Sequence, residues 1–148
     1  LWMEHFSSSK FCFVIRGDSP MSRSHLRAVK VGCIPVIVSD TLPYYSPIFK
    51  SSGISVEDYS IMISEQEFLL DPVATVLFLS QLEETYLRTK LDYLALAQRL
   101  FFPDHPQSLF VPALIQEMDN VLDDHYQWNV THWPWSKTQY HEETPQLG

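Results

Sequence analysis

Only two cysteines, four glycines and ten basic residues occur among the 148 residues, and the bases stand against eighteen acids. The resulting net charge of −8 excludes a general nucleic-acid binder, which needs a basic face toward the phosphates. No run of about twenty apolar residues is present, so no membrane segment is expected in this chain. Residues 1–16 also lack the charged start and long apolar centre of a signal peptide. There is no HExxH or Asp-x-Asp pattern, and Asp123, Asp124 and His125 would diverge around a helix, so no metal site is expected. A Walker loop and the spacing of a catalytic triad are missing too, which leaves a kinase or phosphatase without motif support. The two cysteines, Cys12 and Cys33, have neither the spacing nor the partners of a zinc site or a nucleophile. Both fall on apolar runs, and unpaired core thiols are expected there, with a disulfide as the less favoured alternative.

What is present begins with a chain that is 45% hydrophobic, long enough for one domain with a core. The stretch 11–40, FCFVIRGDSPMSRSHLRAVKVGCIPVIVSD, reads as strand, polar loop, helix and strand in about thirty residues, one βαβ unit. Phe11 to Ile15 and Ile34 to Val38 are nearly unbroken apolar runs rich in β-branched and aromatic residues, as in parallel strands covered on both faces. Ser22 is placed to cap the helix between them, Leu26, Ala28 and Val29 to face the sheet, and Gly32 to stop the helix. A crossover of fixed hand brings the loop after the first strand and the Ser39-Asp40-Thr41 turn to one rim of the sheet. That loop, from Arg16 to Arg23, joins a glycine, several hydroxyls and two guanidinium groups at the start of a helix, where phosphate groups bind.

Ser9-Lys10-Phe11-Cys12-Phe13, then Gly17-Asp18-Ser19-Pro20-Met21-Ser22-Arg23, then Gly32-Cys33-Ile34-Pro35-Val36-Ile37-Val38-Ser39-Asp40 with Leu42-Pro43-Tyr44, resemble the signature of exostosin-like glycosyltransferases, glycosyltransferase family 47. The likeness extends more weakly through Phe49 to Glu65 and into a helix from Asp71. It implies a GT-B enzyme, with an α/β Rossmann-like parallel sheet and flanking helices, of which this chain resembles a partial C-terminal half. It implies transfer of a sugar from a nucleotide sugar, usually a UDP-sugar that serves as substrate with no separate cofactor, to a glycan acceptor. The acceptor domain, which would supply the catalytic base, has no counterpart here, so the chain is expected to be a fragment and its catalytic residue stays unassigned. The missing Asp-x-Asp likewise argues against a metal-dependent GT-A transferase. The likeness further implies the lumenal side of the Golgi membrane, with an anchor outside this chain, and the sequon Asn129-Val130-Thr131 suits that address.

By resemblance the donor diphosphate is expected over Gly17, Asp18, Ser19, Ser22 and Arg23, with Arg27, Asp40 and Glu65 as further candidates for donor contacts. Glu65 is read either as a ribose or sugar contact or as a solvated turn acid. Two positions depart from the family pattern. Ser24 stands where an arginine is usual and Arg27 where an acid usually holds the ribose, and a guanidinium cannot accept from a hydroxyl. Arg23 and Arg27, on one side of a helix, can instead both face a diphosphate. The departures also fit a non-catalytic partner subunit of a related glycosyltransferase. Up to Lys50 six bases meet three acids, which suits an anionic small ligand, although one helix can carry such a bias by chance.

Beyond the βαβ unit, 41–55 reads as a loop over the sheet, in which Tyr44 and Tyr45 either stack on a nucleoside or, as is commoner, pack beneath the loop. Tyr59 to Ile63 reads as a third strand. Asp71-Pro72 opens a helix whose apolar residues recur to Phe102, with a possible single break, and another helix is expected from Pro112 to about Asp123. The donor-domain part is thus expected over 1–123. A tail follows over 124–148, rich in aromatics and histidine, which either folds back, meets another domain or stays mobile.

Overall fold

The computed structural model describes residues 2–18, 22–46 and 49–129. Helix α1 (Trp2–Ser7) leads into strand β1 (Phe11–Ile15), helix α2 (Arg23–Val31) and strand β2 (Ile34–Val38). Short helices α3 (Leu42–Tyr45) and α4 (Val56–Tyr59) precede strand β3 (Ile61–Ile63), and helices α5 (Glu65–Leu70), α6 (Pro72–Ser80), α7 (Glu84–Phe101) and α8 (Phe110–Asn129) follow. The three strands form a parallel sheet in the order β1-β2-β3, so the described residues make an α/β, partial Rossmann-like domain.

Local chemistry sets the ends of α2 as the sequence predicts. Ser22 Oγ accepts from the Ser24 N–H at 3.2 Å, and Gly32 takes φ 77°, a left-handed conformation open to glycine without strain. The Gly32 and Cys33 N–H groups then donate to the Val29 and Ala28 carbonyls, and Gln98 Nε2 of α7 donates to Val29 O at 2.9 Å. Asp71 caps α6 through the Val73 and Ala74 N–H groups, with Pro72 in the first turn. β2 is buried along its whole length, and Val14, Val29, Tyr59, Leu87 and Leu94 close around it.

Several expectations need correction. Cys12 and Cys33 are bonded to each other, with Cα atoms 5.8 Å apart. The Phe11↔Ile34 pairing makes them diagonal neighbours at the start of the β1–β2 ladder, a proximity set by register rather than by local spacing. The helix from Asp71 has the single break that the sequence allowed, at Gln81, Leu82 and Glu83. α6 is apolar on every side, so periodicity could not select its inward face; only Thr75 and Leu79 are buried, while Val73 is 65% exposed beside Leu69 and Leu70 of α5. The loop expected over 41–55 holds α3 and a short 3-10 turn, Lys50–Ser52. β3 starts at Ile61, because Ser55 and Asp58 form a capping box that keeps Tyr59 in α4. α8 runs longer than expected at both ends, and residues 130–148 lie outside the described residues.

One buried pair was not foreseen. His25 and Tyr59 stack with ring centroids 5.8 Å apart, and Tyr59 Oη lies 3.1 Å from His25 Nε2. Burial pushes the His25 imidazole down to about 4 and pushes the Tyr59 phenol up.

Two stability predictions follow from this packing. The disulfide spans 21 residues, and loop closure of that size is worth about 3 kcal/mol. Cys12→Ala with Cys33→Ala, or reduction of the native chain, should lower the denaturant midpoint accordingly; equal midpoints with and without reductant would contradict this. Since His25 titrates lower when folded than when unfolded, the unfolded chain binds the extra proton between about 6.5 and 4. The native chain should therefore lose on the order of 3 kcal/mol as pH falls through that window. His25→Gln should flatten the profile there, whereas parallel profiles for both proteins would contradict the assignment.

Candidate functional site

The parallel register stacks Ile15, Val38 and Ile63 in one row across the sheet. The next residues of each strand, Arg16, Ser39 and Ser64, therefore sit side by side at the carboxyl rim, and Asp40 and Glu65 come one step later. The Arg16 N–H donates to Val38 O at 3.0 Å, which carries the ladder one residue past β1. Ser39 is buried and its Oγ accepts from the Leu42 N–H at 3.2 Å, setting the start of α3. Ser64 Oγ accepts from the Glu67 N–H at 3.2 Å and so starts α5 at Glu65.

Above this row lies a small polar cluster. Asp40 and Glu65 hold each other reciprocally: the Asp40 N–H donates to Glu65 Oε1 and the Glu65 N–H donates to Asp40 Oδ1, both at 3.2 Å. Arg16 Nη1 reaches the same carboxylate, 3.3 Å from Oε1 and 3.4 Å from Oε2. The sequence singled out Asp40 and Glu65 but did not join them to Arg16. Arg16 and Glu65 are 49 positions apart, and only the equal ends of the strands reveal the contact.

Gly17 and Asp18 continue from Arg16 on the exposed rim. A Cβ placed on Gly17 would meet no atom within 4 Å, so the backbone there faces open space among the described residues. Ser22 is committed to capping α2, whose first turn carries no acid, and Arg23 and Arg27 stand exposed on that helix. Ser19 lies outside the described residues. Tyr44 is 84% exposed and Tyr45 is exposed beside it, so packing beneath the loop, the favoured expectation, does not account for either.

The arrangement can bind an anion rather than run acid–base chemistry. The rim offers guanidinium donors and an uncrowded glycine backbone, and the His25 imidazole of α2 is buried against Tyr59 and held neutral. The Exostosin GT47 domain model matches residues 2–76. That span runs from α1 into α6, and it takes in all three strands and the whole rim. No curated protein matches the chain. With half of its length matched, and with the sheet and rim inside the match, the chain belongs to the exostosin GT47 family of glycosyltransferases.

Proposed function

We propose that this chain supplies the nucleotide-sugar-binding part of an exostosin-type glycosyltransferase, and that it takes a UDP-sugar whose sugar passes to a glycan acceptor. The observation that carries the reading is the open Gly17 backbone at the sheet rim, five residues before the Ser22 cap of a helix that bears Arg23 and Arg27. In this reading the diphosphate lies over Gly17, Asp18, Ser19 and Ser22. Arg23 neutralises the charge that grows on the leaving nucleotide as the glycosidic bond breaks, and Arg27 and Asp40 flank the donor. The base that takes the proton from the acceptor hydroxyl belongs to a part of the enzyme other than this rim.

An oxidising, lumenal address is supported by the buried Cys12–Cys33 disulfide, since glutathione keeps most cytosolic thiols reduced. Asn129, the acceptor of the sequon, is the last residue of α8, and Val130 and Thr131 lie outside the described residues. A second reading is favoured by Ser24 and Arg27, which stand where the family pattern has an arginine and a ribose-binding acid. In it the chain keeps the fold to assemble with an active transferase and transfers nothing itself. Transfer by the protein alone argues for the first reading, and transfer only with a co-expressed relative argues for the second.

Arg23→Ala tests the donor assignment. A lost charge-assisted contact to phosphate is worth about 2 kcal/mol, so UDP affinity measured by calorimetry should fall more than tenfold. Unchanged affinity would remove Arg23 from the site.

A further inference from the structure

We infer that Glu65 is a positioning residue that holds the Arg16 guanidinium over the rim for the donor diphosphate, and that it does not itself take the ribose hydroxyls. The inference rests on the nucleotide-sugar reading above. Glu65 is already engaged: Oε1 accepts from both the Asp40 N–H and Arg16 Nη1, and Oε2 accepts from Arg16 as well. That leaves little of a carboxylate's capacity of about four acceptor sites for a ligand. Arg16 is the opposite case. Its contact with Glu65 uses Nη1 alone, Nε and Nη2 have no bond among the described residues, and its side chain is 46% exposed. A planar guanidinium with spare donors matches two phosphate oxygens at once.

Energetics point the same way. A half-exposed ion pair is worth about 0 to 1 kcal/mol, too little for this contact to be a main support of the fold. Its effect is on geometry, because it lays a flexible side chain across the ends of the strands. The rim carboxylates Asp18, Asp40 and Glu65 would repel a diphosphate, and Arg16 offsets that charge where it matters. Gly17 follows Arg16 directly and leaves open space for the ligand's approach.

Glu65→Gln separates the two roles. Its amide oxygen can still accept from the Asp40 N–H, while the charge that holds Arg16 is gone. Loss of positioning weakens UDP binding, whereas loss of one negative charge alone would strengthen it, so the sign decides. In calorimetric titrations of the full chain, Glu65→Gln should bind UDP about tenfold more weakly, a coupling typical of neighbouring charged groups. The loss should be equal for 2′-deoxy- and 3′-deoxy-UDP. On an Arg16→Met background Glu65→Gln should no longer weaken UDP binding. Unchanged or tighter UDP binding by Glu65→Gln would overturn the inference, and so would a loss that vanishes with the deoxy nucleotides, which marks a direct ribose contact. If Glu65→Gln does not fold by circular dichroism, Arg16→Met decides: UDP must weaken while uridine does not, and equal UDP binding overturns the inference. A native chain that binds no UDP overturns the donor reading and this inference together; a native chain that binds UDP with indifferent variants overturns the inference alone.

Discussion

The register of the β1–β2 ladder is the constraint on which the rest depends. Pairing Phe11 with Ile34 makes Ile15 end beside Val38, and β3 adds Ile63 to the same row. A slip by one residue would turn the buried face of β1 outward and move Arg16 away from Asp40 and Glu65. The ladder is secured at both ends. The Cys12–Cys33 bond closes it where the strands begin, and the Arg16 N–H extends it where they finish. Between these points β2 is fully buried, so the strand that carries Asp40 to the rim has no freedom to shift.

From that fixed sheet the functional logic follows by short steps. Strand ends deliver polar residues to one edge, and the loops after them cannot be buried without leaving backbone groups unpaired, so such loops face solvent. Asp40 and Glu65 bond to each other's backbone and tie the turn after β2 to the turn after β3. After β1, Arg16 reaches Glu65, and the Gly17 backbone that follows meets no atom within 4 Å of an added Cβ. One edge thus combines a rigid clamp with an open approach, the combination an anionic donor needs. In the proposed reading the mixed signs of charge work together: the arginines attract the diphosphate, and Glu65 aims Arg16.

Features decided by neighbours in sequence were legible in the sequence, and those decided across the sheet were not. Ser22, Gly32 and the Asp71-Pro72 pair announce helix ends because caps act within a few residues, and each does so here. The apolar runs of β1 and β2 named the parallel unit, and the family likeness came from the same residues. The disulfide was only the less favoured alternative because its cysteines are 21 residues apart and meet only through register. The inward face of α6 was missed because Val73, Val76, Leu77 and Phe78 are apolar all around it. His25 was passed over since a single histidine on a helix gives no sign that Tyr59, 34 residues away, will lie against it. Of the candidate site, the crossover placed the Asp40 turn on the rim, while the contacts that join Glu65 to Asp40 and to Arg16 needed coordinates.

The central claim is that a nucleoside diphosphate binds at this edge of the sheet, and amide hydrogen exchange of the native chain with and without UDP tests it most directly. The account predicts that UDP slows exchange in 16–24 and at Asp40, while α6 and α8 exchange as before. Unaltered exchange at the rim, or protection confined to α6 or α8, would contradict it.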